Sequence, residues 1–474
     1  MREAFAALDL GTSRLRVGAL LPGGGLTVLA SLPNRVERGA GGAARCRFSR
    51  QWRGVQHLLD ALGVWCRGQR VKRLHLGLCG QVSSLLRWDA AAARPAADDY
   101  PIWLDSTCAP VLPRLHALWA DGGDRRLLGT CMRAGGNWLA AKLLHEGASD
   151  AFVVQFADAV FHRLTGELCS HPSAQISLVD HGSQEYSQGM LAALGVDAGR
   201  LPRLAAHGMA GLSPKVAAAH GLPAVTVHAG LMDTAAALLG LAPQPDDGLL
   251  LAGTSEVIAA WTAEDDPRPP ERMVRLRLDR GWALYGSSAS GGATLDWLAG
   301  SLLGRTAAAT ARLRQAAASV PPGSDGVRCL PWPDGERAPL WDATLTAGFD
   351  GLRGHHRDVH LWRAALEGIA YARRLGAEAL GRPLPQRFLA AGGGAADPLA
   401  NRIRASVLGR PLLVFPRAEP ALLGVVRHCA VSAGLPDPAP HGPGGAVVVE
   451  PEPDWVEAYA RGYAVFKESL CPTP

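Results

Sequence analysis

Lysine is scarce in this chain: there are four (Lys72, Lys142, Lys215, Lys467) in 474 residues, and the rest of the 48 cationic residues are Arg. None of the four is followed by Ser or Thr, so no Walker A phosphate loop exists. The G-x-S-x-G elbow of serine hydrolases and the H-E-x-x-H zinc signature are also missing. The nine cysteines include no C-x-x-C pair. An odd count without paired spacing argues against a disulfide framework or a zinc site and points to buried, reduced thiols. No run approaches the ~18 apolar residues that a membrane helix needs. Asp9 interrupts the N-terminal apolar stretch before a signal-peptide core can form. A cytoplasmic protein with no membrane partner is the expectation. Charged residues make up only 19%, and a net charge of +5 spread over this length does not argue for nucleic acid.

Glycine, by contrast, is abundant at 56 residues, and hydrophobic content is 48%. That composition describes packed domains with many tight turns, and the length favours two or three of them. Almost midway lies His228–Leu241, where an apolar strand (Ala224–Val227) leads through Gly230 to Asp233 and a small-residue helix. The local pattern alone favours Asp233 as a helix N-cap. The functional reading is a carboxylate facing a cleft between two halves, since a full domain's length of chain lies on either side.

Phe5–Leu10 and Leu15–Leu21 read as strands joined by the turn Gly11-Thr12-Ser13, with Asp9 and Arg16 on either side. The same strand–turn–strand pattern returns at Gly248–Trp261 around Gly253-Thr254-Ser255. This duplication suggests two related halves, each presenting a hydroxyl-rich turn. Arg73–Leu78 reads as a strand ending in Gly80-Gln81-Val82-Ser83-Ser84, which is either an ordinary turn or a ligand site at a strand's carboxyl end. Trp103–Thr107 is expected to begin a helix, and Asp150–Thr165 to form one capped by Asp150. Val359–Leu380 reads as a long helix, and Phe388–Ala391 as a strand. Gly392-Gly393-Gly394-Ala395 leads into a helix with Asp397-Pro398 at its start. Trp455, Tyr459, Tyr463, Phe466 and Leu470 form a core stripe on a final helix.

Tight Gly/Thr/Ser turns expose backbone N–H groups and short hydroxyls that can hold phosphate oxygens. Two such turns can grip a pair of phosphates, and an Asp beside one of them can complete the oxygen shell of Mg²⁺. Arg16 can balance phosphate charge, or it is simply an exposed strand residue. A second Asp can accept the proton of an attacking hydroxyl. Together these pieces make a phosphotransferase constellation.

The same residues resemble the FGGY carbohydrate kinases, of xylulokinase-like flavour, in the superfamily of sugar kinases, actin and the heat-shock chaperone ATPases. Asp9-Leu10-Gly11-Thr12-Ser13-Arg14-Leu15-Arg16 is similar to that family's first phosphate motif. Gly80-Gln81 resembles its sugar-contacting loop, Gly230-Leu231-Met232-Asp233 its catalytic-base motif, and Gly253-Thr254-Ser255 its second phosphate motif. Gly335-Glu336-Arg337-Ala338-Pro339 resembles its G-E-R-x-P loop. Gly392–Ala395, with Leu408-Gly409-Arg410-Pro411 downstream, resembles its adenosine signature.

The resemblance implies an α/β fold of two actin-like (ribonuclease H-like) domains, 1–244 for sugar and catalysis and 245–474 for nucleotide, with the active site in the cleft between them. It implies ATP- and Mg²⁺-dependent phosphorylation of a ketose (xylulose-like) or related sugar or polyol, with small molecules as the partners. A homodimer is left open. Asp233 would be the base and Asp9 the metal ligand. Gly11, Thr12, Ser13, Arg16, Gly253, Thr254 and Ser255 would surround the phosphates, and Gly393, Gly394 and Ala395 the nucleoside. Gln81, Ser83, Asp105 and Asp233 would contact substrate. Ser83 and Thr107 stand where the family often has His and Arg, which leaves a sugar/ATP-binding regulatory protein as the alternative. An ATPase acting on protein partners is a further one, disfavoured because no separate peptide-binding domain is evident.

Overall fold

The computed structural model describes residues 2–470 apart from 133–134, 148, 265–266, 269, 280 and 440–443. The chain divides into two compact units. The first comprises Met1–Ala242 with Leu276–Arg280 and Glu419–Pro443, and the second comprises Pro243–Arg275, Gly281–Ala418 and Gly444–Pro474. Two short stretches from the second half of the sequence thus belong to the first unit. Spacing along the chain carries no sign of this.

The first unit is built on a six-stranded sheet. Its strands are β1 (Glu3–Leu10), β2 (Arg14–Leu20), β3 (Thr27–Pro33), β4 (Arg73–Gly80), β5 (Met209–Gly211) and β6 (Ala224–Met232). They lie in the order β5-β6-β4-β1-β2-β3. β6, β4 and β1 run parallel, while β1, β2 and β3 form antiparallel hairpins. The parallel strands are apolar along almost their whole length and buried, as strands covered on both faces must be. The helix Phe48–Gly68 lays Val55, Leu58, Leu59 and Leu62 into the core. The helices Asp233–Gly240 and Pro420–Ser432 meet almost backbone to backbone: a Cβ on Gly424 would stand 1.7 Å from the carbonyl oxygen of Ala236.

Two local expectations need correction. Asp150 caps nothing: Phe152–Val154 is a strand, and the helix Phe156–Thr165 starts from a capping box of Gln155 and Asp158. The apolar Phe-Val-Val run pairs with Leu86–Asp89, and that tertiary pairing overrides the helical pattern. Trp103–Thr107 is turn, and helical structure begins only at Ala109.

In the second unit six strands of a seven-stranded sheet are β7 (Gly248–Ala252), β8 (Glu256–Thr262), β9 (Gly281–Ser287), β10 (Phe388–Ala391), β11 (Leu412–Phe415) and β12 (Val447–Val449). They lie in the order β9-β8-β7-β10-β11-β12, with β7, β10 and β11 parallel. The duplicated pattern is real at this level: β1/β2 and β7/β8 are both antiparallel hairpins, and each first strand also pairs in parallel with a later one. Asp397 caps the helix Pro398–Leu408 through the N–H of Ala400. Tyr459, Tyr463 and Phe466 of the last helix are buried in a core with Trp332, Trp362 and Tyr371. The eight described cysteines are buried, and Cys471 lies outside the described residues. No described helix is long and apolar enough to cross a membrane.

Candidate active site

Three of the residues singled out from sequence meet at one edge of the first sheet. Leu10 pairs with Gly80, and Gly80 with Met232, so β1, β4 and β6 end side by side. Asp9, Gln81 and Asp233 therefore stand at the carboxyl ends of adjacent parallel strands, where α/β sheets bind ligands. A register shift between His228 and Leu231 bulges β6 just before Asp233 and re-aims its end.

Asp233 is not a helix cap. Met232 holds the N-cap position, and Asp233 is the first helical residue. Its Oδ1 accepts from the Thr234 N–H at 2.7 Å and faces the Thr234 hydroxyl at 3.3 Å. Burial and the nearby charge of Asp9 push its carboxyl up to about 6, against the pull of the Thr234 contacts. That value suits a group that must take up a proton near neutral pH.

Asp9 is buried, with Oδ2 receiving Arg16 Nε at 3.0 Å and Oδ1 receiving the Cys79 thiol at 3.7 Å. Arg16 is no free surface residue: it pairs with Asp9 on one side and with Glu419 on the other. The Gly11-Thr12-Ser13 turn is braced by Asn34, whose Nδ2 donates to Gly11 O at 2.9 Å and whose N–H donates to Ser13 O at 2.8 Å. Trp103 Nε1 donates to Thr12 Oγ1 at 2.8 Å, and that hydroxyl donates to Gln81 Oε1 at 3.1 Å. The first phosphate-type turn and the Gln81 loop are thus one hydrogen-bonded unit.

Ser83 and Asp105 are buried too. Ser83 adopts a φ of +64°, rare for a residue with a side chain. Asp105 accepts from Ala44 N–H at 2.9 Å on one oxygen, and from Thr107 N–H at 3.1 Å and its hydroxyl at 2.5 Å on the other. Burial alone would raise its carboxyl, but these bonds from Thr107 and Ala44 outweigh that and hold it below the usual range. Its recorded contacts tie the 103–107 turn to Ala44.

In the second unit the Gly253-Thr254-Ser255 turn is supported by backbone. Gly292 and Ala293 N–H donate to Gly253 O at 2.9 Å and Thr254 O at 2.8 Å. A Cβ on Gly292 would stand 3.0 Å from Gly253 O. Gly392, at φ +100°, lies against the end of β7, and its Cβ would stand 2.5 Å from Ala252 O. Gly393 faces open space, and Ala395 is buried. The Gly-Thr-Ser turn and the Gly392–Ala395 turn therefore share one edge of β7 and β10.

Beneath them runs a buried charged network that sequence reasoning missed. Arg404 pairs with Glu256 and donates to Gly394 O at 3.1 Å. Glu336 accepts from Ser288, Ala289, Ser290, Trp332 and Arg337, and Arg373 lies 3.6 Å from it. Glu336 was visible within the G-E-R-x-P motif. Arg404 and Arg373 carry no local signal, being Arg residues on ordinary helical stretches.

Residues 248–433 match the C-terminal domain of the FGGY family of carbohydrate kinases. A xylulose kinase of Klebsiella pneumoniae is 31% identical over 338 residues, covering 68% of this chain and 67% of that protein. One of Escherichia coli K12 is 29% identical over 428 residues, covering 86% and 85%. The structure of a ligand-bound xylulose kinase from Lactobacillus acidophilus superposes with a TM-score of 0.86 at 20% identity, covering 98% of this chain and 97% of that one. That superposition shows the fold: α/β, two domains, actin-like.

Proposed function

Because the chain belongs to the FGGY family of carbohydrate kinases, we propose that it transfers the γ-phosphoryl group of ATP to a hydroxyl of a xylulose-like ketose or a related polyol, with Asp233 as general base. The observation that carries this reading is the meeting of Asp9, Gln81 and Asp233 at three neighbouring strand ends, with the Asp233 carboxyl raised to about 6. A carboxylate in that state takes the proton from an attacking hydroxyl without being lost to protonation at neutral pH. Gln81 and the 103–107 turn, tied to each other through Thr12 and Trp103, would orient the sugar. Thr12 and Ser13 in the first unit, and Gly253, Thr254 and Ser255 in the second, offer N–H groups and hydroxyls to phosphate. Gly393 leaves room for the nucleoside.

The donor set fits Mg²⁺. Asp9 and Asp233 are close enough for the charge of one to raise the other's carboxyl, a repulsion that a divalent cation relieves. Asp9 would hold the ion, with Arg16 beside it as the balancing cation. When bound, Mg²⁺ neutralises charge on the phosphates.

The test is sugar-dependent release of ADP across a panel of ketoses, aldoses and polyols. Strong stimulation by a ketopentose is expected. Stimulation only by aldoses would replace the substrate class, and none by any compound, with ATP bound, would end the kinase reading.

A further inference from the structure

The amide of Met232, the residue before Asp233, is held by a side chain distant in sequence: its N–H donates to Ser173 Oγ at 3.1 Å. Ser173 is buried, and its hydroxyl lies 2.8 Å from Nδ1 of the equally buried His171. The backbone N–H of Ser173 points at the same nitrogen from 3.0 Å. An amide N–H can only donate, so Nδ1 carries no proton and the ring's proton sits on Nε2. Burial first, and then the neighbouring His428, push the His171 imidazole down to about 3, which keeps it neutral. The 2.8 Å contact is then the Ser173 O–H donating to Nδ1, and this turns the lone pairs of that oxygen toward Met232.

A carboxylate stands behind the ring. Nitrogens of His171 and His428 and an oxygen of Asp279 all lie within 4.8 Å of one another. His428 Nδ1 lies 2.9 and 3.0 Å from the two oxygens of Asp279, so it donates to them, and its Nε2 faces the Ser432 hydroxyl at 3.4 Å. The charge of Asp279 also acts on His171, opposing the downward push of burial and His428.

We propose that Ser173 and His171 are positioning residues for the Asp233 carboxylate, with the Asp279–His428 pair backing the ring. This rests on Asp233 being the base. The chain of donors runs in one direction: the His171 ring, fixed as an acceptor at Nδ1, orients the Ser173 hydroxyl, which in turn fixes the amide from which the β6 bulge delivers Asp233. The same three residues, His171, Asp279 and His428, have the composition of a two-histidine, one-carboxylate cation site. The tautomer argues against one. A cation on Nε2 needs the proton moved to Nδ1, against the Ser173 N–H, and Nδ1 itself is already taken by two donors.

Steady-state kinetics on the full chain, with the best sugar from the panel, test this. Ser173→Ala is expected to lower kcat about tenfold while KM for ATP and sugar stay within about twofold, the signature of a misplaced base. His171→Asn keeps an acceptor where Nδ1 stands and should retain most of kcat. His171→Gln places its amide where Nε2 stands and should lose as much as Ser173→Ala. Equal activity of the two His171 variants, or unchanged kcat in Ser173→Ala, overturns the proposal, and the His171 pair still decides if Ser173→Ala does not fold. One equivalent of Zn²⁺ retained through gel filtration, and lost in His428→Ala, also overturns it. Asp233→Ala is assayed in parallel. If it turns over normally, the base assignment fails; if it is dead while Ser173→Ala behaves as the parent, only the positioning role fails.

Discussion

The two Gly-Thr-Ser hairpins are alike in strand order and unlike in what holds them. The turn at Gly11–Ser13 is braced by side chains from elsewhere in the first unit: Asn34, Trp103 and Gln81. The turn at Gly253–Ser255 is braced by backbone, through the N–H groups of Gly292 and Ala293, with Gly392 pressed against the neighbouring strand end. Charges flank the first turn directly, as Asp9 and Arg16, whereas in the second unit they lie buried beneath, as Glu256, Arg404, Glu336 and Arg373. Two similar hairpins are thus held in place by different means. Side-chain bracing links the first turn to Gln81 and to the Trp103–Thr107 turn, the residues proposed above to orient the sugar. Glycine bracing gives the second a shape with no side chain in the way, which suits phosphate and nucleoside common to every turnover.

The sharpest way to break this contrast is Asp233→Ala. It should lower kcat by about a thousandfold, within the range for a lost general base, while calorimetry shows ATP still binding. Normal turnover would mean that the first unit does not hold the proton acceptor. Next comes the glycine contrast in the second unit. Gly392→Ala puts a Cβ 2.5 Å from Ala252 O at a φ of +100°, and should cost about 2–3 kcal/mol in chemical denaturation. Gly393→Ala has open space around it. It should leave stability unchanged and raise KM for ATP alone; equal melting shifts in the two variants would remove the distinction.

The third test is pH. The Asp233 carboxyl is raised to about 6 and works only when ionised, so kcat should fall as pH drops through that value, by about tenfold per unit below it. A flat profile down to pH 4.5 would place the proton acceptor elsewhere. The smallest effect is expected from Asn34→Ala, which frees Gly11 O from a side-chain brace and keeps the backbone bond to Ser13 O. A loss of about 1 kcal/mol of stability and a few-fold rise in KM should follow. No change in either would mean that the first turn, like the second, is held by its backbone.

Much of this was legible in order along the chain. Buried parallel strands show as unbroken apolar runs, tight turns as Gly/Thr/Ser, and the cap at Asp397 and the aromatic stripe at Tyr459–Phe466 as local patterns. Asp150 misled because a strand of three residues, Phe152–Val154, is too short to show a period of its own. Asp233 looked like a cap because the residue type fits, and only the backbone places Met232 in that position.

By itself the sequence determined where the chain turns, which stretches bury both faces, and that two similar hairpins recur, because those depend on neighbours a few residues apart. Tertiary structure alone decided the partners. Glu419 reaches Arg16 from 403 residues away, Ser173 reaches Met232 across 59, and Leu276–Arg280 joins a unit built mostly from the first half of the chain. Such contacts form because the folded path brings strand ends together at one edge of a sheet, and no local spacing records that path.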